Sequence, residues 1–159
     1  MNTARIALCS ALLCAGAALY AKPAPAPASP SPQDLVLTRQ AGMDMAVSTL
    51  TLLKNASANG APIKTLAFPA SGLAKFARAL PPLFSDYTKG VPSRAKATVW
   101  TDRAGFQAKA ADFAAATKAL AGAAAAGDKP AFDAALAWVG ATCKGCHDSY
   151  QLPPPAKPG

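Results

Sequence analysis

Apolar residues in this chain recur at helical rather than strand spacing. Between Gln33 and Asn55, the residues Val36, Met43, Val47, Leu50 and Lys54 fall on one face, with Arg39 one turn before Met43. A second, shorter helix is expected from Ala70 to Leu80, with Leu73, Phe76, Ala77 and Leu80 as its inward stripe. Pro81-Pro82 stops it, because proline lacks the donor and clashes with the preceding turn. A long loop through Asp86, Gly90, Pro92 and Ser93 follows. The third helix is expected from Thr101 to Ala125, capped by Thr101 or Asp102, with Phe106, Ala110, Phe113, Thr117, Leu120 and Ala124 buried. After a turn at Gly127-Asp128, a fourth runs from Lys129 to Tyr150, with Pro130 tolerated in its first turn. Its stripe is Phe132, Leu136, Val139, Cys143, Cys146, His147 and Tyr150. Alanine is abundant and β-branched residues are sparse. The pattern predicts an all-α fold, an antiparallel up-down four-helix bundle.

The first part of the 159-residue chain follows another rule. Arg5 precedes an apolar run from Ile6 to Leu19, and small residues surround position 21. Residues 1–21 therefore look like a secretory signal peptide, and the run is too short to span a bilayer. A lipoprotein site at Cys9 or Cys14 is disfavoured, because a bulky leucine precedes each. Residues 22–32 alternate proline with alanine and serine, which favours extended polyproline II and builds no core. The folded domain is expected over 33–151, followed by a Pro-rich tail at 152–159. A bundle of about 120 residues buries one sizeable core. The expected product is a bacterial periplasmic protein with no membrane span once the leader is removed.

Net charge is +8. A basic chain can signal nucleic acid, but an exported protein rarely meets any, and the cations here are scattered. The charge is read as solvation and as steering toward an acidic redox partner.

The chemistry sits in Cys143-Lys144-Gly145-Cys146-His147. Cys-x-x-Cys-His is the attachment signature of a c-type haem: two thiols add to the porphyrin vinyl groups, and the imidazole ligates iron. On a helix the cysteines are i,i+3 and Cys143 and His147 are i,i+4, so all three share a face. A thioredoxin-like redox pair would need a βαβ setting that this chain lacks. A zinc site would need about four ligands, and beyond residue 21 the chain offers two cysteines and one histidine. The expected cofactor is one covalent haem c. With a single histidine, bis-His ligation is impossible within one chain. Met43 and Met45 lie about 200° apart around a helix, and Met43 shares the inward stripe. Met43 is either the second axial ligand or a flexible core residue.

These residues resemble the cytochrome c' family over about Asp34 to Gln151. The motifs that carry the likeness are Arg39-Gln40-Ala41-Gly42-Met43, then Trp100-Thr101-Asp102 with Phe106, then Cys143-Lys144-Gly145-Cys146-His147-Asp148-Ser149-Tyr150. The resemblance implies a four-helix bundle with haem near the C-terminal end, in the periplasm, and often a homodimer. Many members hold five-coordinate, high-spin iron, with an apolar residue four places after the first-helix arginine. The low-spin, cytochrome c-556-like branch places a methionine there, and here that place is Met43. The resemblance also implies that Arg39 lies near a haem propionate. One departure stands out: members commonly carry arginine four residues after the ligand histidine, and here that residue is Gln151. The reading that follows is a one-electron carrier with His147/Met43 ligation, not an enzyme, serving periplasmic redox partners. The alternative is a five-coordinate protein that binds nitric oxide or another diatomic gas.

Overall fold

The computed structural model describes residues 29–155. The expected leader, most of the linker and the end of the tail lie outside the described residues. Five α-helices follow in order: α1 (Pro32–Ala58), α2 (Ala67–Ala79), the single turn α3 (Thr98–Thr101), α4 (Arg103–Ala126) and α5 (Lys129–Tyr150). The four long ones form the bundle. The described residues contain no strand, only an isolated bridge between Ala95 and Gln151.

α1 begins earlier than the periodicity alone predicts. Ser31 accepts from the Asp34 amide at 3.1 Å and Asp34 accepts from the Ser31 amide at 2.9 Å, a reciprocal capping box. Pro32 occupies the first turn, where its missing donor costs nothing. The last Ser-Pro of the linker is thus the start of the helix. At the other end α1 runs on to Ala58 and closes at Gly60, whose φ of 77° suits glycine.

The inward face of α1 also differs from the expected stripe. Val47 is 62% exposed and Lys54 is exposed. The buried positions are Val36, Arg39, Ala46, Leu53 and Ser57, with Met43 and Leu50 half-buried between them. Three of these are small or polar, so a stripe drawn through the large apolar residues rotates off the true face.

α2 starts at Ala67, preceded by a 3-10 turn at Ile63–Leu66 that buries both of its end residues. The stretch from 81 to 97 is not a featureless loop. It folds as 3-10 turns at Pro81–Phe84 and Asp86–Thr88, then α3. Asp102 breaks the helix at φ −112°, ψ 60°, and its side chain caps α4 by accepting from the Gly105 amide at 3.1 Å. Gly127 (φ 75°) ends α4, and Asp128 caps α5 through the Ala131 amide at 3.0 Å.

α4 packs chiefly against α5 and α2. The main core joins Leu53, Ile63, Leu66, Leu73, Phe113, Leu120, Phe132 and Val139 through a bed of alanines. Burying a side chain such as Phe132 stabilises the fold by about 1.5–3 kcal/mol. A second, smaller cluster of Val99, Phe106 and Tyr150 lies where α3, the start of α4 and the end of α5 meet. That second cluster floors the site.

Candidate cofactor site

The end of α5 carries the attachment run into the gap between the two clusters. Cys143 packs against the main core and Cys146 against the second cluster. Both thiols are half-buried and unpaired. Burial pushes both thiols up from their ordinary range, so neither is a ready thiolate at neutral pH. That does not suit a thiol oxidoreductase. Nor do three or more His, Cys, Asp or Glu residues gather as a metal cluster among the described residues. Burial first, and then the nearby Arg94 guanidinium, hold His147 below the usual imidazole range. The imidazole is therefore neutral at neutral pH, the form with a lone pair to give to a metal.

Cys146 and His147 line a cavity of about 360 Å³. Leu80, Phe84, Val99 and Phe106 make its walls apolar, while Arg39, Ser93 and Arg94 bring polar groups to it. Met43 reaches the same cavity from α1. The expected site residues thus converge from two helices, with Cys143 one turn behind. Met45, the other methionine, is 70% exposed.

Arg39 is only 3% exposed, and its partners are all neutral. It donates to the Leu83 carbonyl and the Thr88 hydroxyl, each at 3.1 Å, and to the Ser93 hydroxyl at 2.9 Å. Its guanidinium also stacks 4.3 Å from the Phe84 ring centroid. A buried cation without a carboxylate partner suits an incoming anionic group. Two thiols and an imidazole on one helix face, an apolar slot and this buried cation fit a haem with its propionates.

Several contacts around the site escaped the sequence reading. Tyr150 donates to the Asp102 carboxylate at 2.6 Å, so one aspartate both caps α4 and ties down the end of α5. That bond, then desolvation, pushes the Tyr150 phenol up to about 12. Arg94 came from a stretch with no periodic signal. Gln151, where members of the resembling family commonly carry arginine, extends along Ala95 in the isolated bridge.

The family model described as Cytochrome C' matches residues 34–151. The chain belongs to the cytochrome c' family. Covalently attached haem c is the cofactor of that family, and the attachment run of this chain agrees with it. A cytochrome c' from Pararhodospirillum photometricum is 43% identical over 83 residues, which cover 52% of this chain and 66% of the relative. For two further curated relatives the matched stretch spans 49% and 44% of their length, so the chain matches about half to two thirds of these proteins. Among solved structures, a ferrous cytochrome c prime variant from Alcaligenes xylosoxidans with bound NO is similar at 28% identity and a TM-score of 0.72. It covers 80% of this chain and 100% of that one. A cytochrome c' described as having ligand-controlled dimer dissociation is similar at 27% identity and a TM-score of 0.73, covering 79% of this chain and 100% of that one.

Proposed function

We propose that this cytochrome c' binds a diatomic gas, nitric oxide being the best fit, at the iron face away from His147. The haem, when bound, supplies a redox-active iron that accepts axial ligands. Cys143 and Cys146 anchor it, His147 holds the iron, and Arg39 receives a propionate. The observation that carries the reading is the character of the cavity beyond His147. Leu80 and Phe84 are apolar and Met43 brings only a thioether. Such a wall suits a small, weakly polar molecule. The bound NO of the similar Alcaligenes xylosoxidans protein supports the same choice. The leader-like residues 1–21 support a periplasmic location. Among the described residues, no helix is long and apolar enough to cross a membrane.

A second reading rests on Met43 itself. A thioether that lines the cavity suits a His147/Met43 pair, which raises the haem potential and leaves no site for a gas. The protein would then pass single electrons between periplasmic redox partners. The optical spectrum of the reduced holoprotein separates the two. The gas-binding reading expects a broad high-spin spectrum that sharpens on adding carbon monoxide. Narrow low-spin bands with a weak far-red thioether–iron band, unmoved by carbon monoxide, would reverse the order.

The solvent face of α1 supports a homodimer. Leu37 (64% exposed), Met45 (70%) and Leu52 (52%) align within about 80° of one another around the helix, with Ala41 and Ser48 in the same sector and no charged residue there between Leu37 and Leu52. An uncharged apolar helix face is suited to pack on its own copy. Met45→Lys combined with Leu52→Lys is expected to give a monomer in sedimentation equilibrium while leaving the haem spectrum unchanged. A wild-type protein that already sediments as a monomer at high micromolar concentration would refute the dimer.

A further inference from the structure

Glycine inside a helix costs about 0.5–1 kcal/mol relative to alanine. Helical Gly72, Gly122 and Gly140 have open space where a side chain would stand. Gly42 does not. A Cβ there would lie 2.7 Å from Phe76 Cζ and 3.0 Å from Cδ2, and nearer still to Cε2. Carbon atoms normally meet at about 3.5–4.0 Å. The α1 backbone therefore rests directly on the Phe76 ring of α2.

That ring is half-buried, with its inner side against the core. It packs against the main core, and the residues around it, Leu73 and Ala77 of α2 and Leu80 just after it, are all buried. The next residue after Gly42 is Met43, which lines the cavity, and Leu80, just past the end of α2, lines the same cavity. This contact between α1 and α2 thus adjoins the residue that lines the cavity.

We infer that Gly42 and Phe76 are positioning residues that set how far residue 43 reaches into the haem cavity, and so how freely a gas reaches the iron. The inference rests on the reading that residue 43 stands over the iron face away from His147. A methyl group at position 42 must displace α1 or the ring. The inner side of the ring rests on the core, and on this inference α1 moves outward and draws residue 43 with it.

The test is carbon monoxide titration of the ferrous holoprotein, with Met43→Ala as the reference. Gly42→Ala is expected to raise carbon monoxide affinity on the order of tenfold. Adding Phe76→Leu to Gly42→Ala makes room for the methyl group and is expected to restore the wild-type affinity, an effect that a merely structural role would not produce. Should Gly42→Ala fail to accumulate with haem, Phe76→Leu alone carries the test, since it lets α1 settle inward and lowers the affinity. If Met43→Ala changes the affinity but Gly42→Ala and Phe76→Leu do not, this inference is overturned and the reading of residue 43 stands. If Met43→Ala also changes nothing, that reading has failed and the inference falls with it.

Discussion

Replacing both Cys143 and Cys146 with alanine is expected to release the haem completely into acidified organic solvent, where the wild-type protein retains all of it. The two cysteines are one helical turn apart and half-buried on either side of the gap that holds the cavity. Each thiol is kept protonated by burial. Neither is tied up in a disulfide, so each S–H would be free to add across a vinyl group of the haem. Either single replacement leaves one thioether, so the haem should stay with the chain and shift its absorption bands slightly. The measurement is the partition of haem between solvent and precipitated protein, read by absorbance. Haem that stays with the double variant would show that these thiols are not the attachment points.

Met43→Ala is the second large expected effect. If the iron is five-coordinate, Met43 only crowds the free face, and its removal opens the cavity. Carbon monoxide affinity should then rise by about tenfold or more, while the spectrum stays high-spin. If instead the thioether is bound, the same substitution turns a low-spin spectrum into a high-spin one and lowers the reduction potential. The first outcome supports gas binding and the second supports electron transfer. No change in either observable would place Met43 among the ordinary packing residues of α1. Stability should fall only moderately, since Met43 is half-buried and Leu50 and Ala46 continue the same face.

The helices of the second half were the most legible part of the sequence. Every position expected on the inward face of α4, from Phe106 to Ala124, is buried, and α5 runs from Lys129 to Tyr150 as its caps predict. There the large apolar residues coincide with the face. On α1 they do not, because Ala46, Ser57 and Arg39 point inward while Val47 points to solvent. Hydrophobicity cannot flag a buried arginine. Its reason for burial is three acceptors brought from residues 83–93, far along the chain. The same distance hides the role of Asp102. As a helix cap it was readable locally, but its bond to Tyr150 joins residues 48 positions apart. The attachment run could be read because its chemistry lies within five consecutive residues. The opposite side of the cavity could not, since α1, α2 and the 3-10 turns supply it together. The choice between gas binding and electron transfer depends on that assembled side.

The last turn of a helix is ordinarily its loosest part. In α5 it is held from three directions. Tyr150 is fixed by Asp102, Lys96 donates to the Asp148 carbonyl at 2.8 Å, and the backbone beyond Tyr150 pairs with Ala95 and Arg94. His147 stands inside that turn. Its imidazole is presented by backbone already ordered, so taking up the iron demands little further loss of conformational freedom. The contribution of these ties is preorganisation: any affinity that His147 has for the metal is not eroded by the entropy of arranging it.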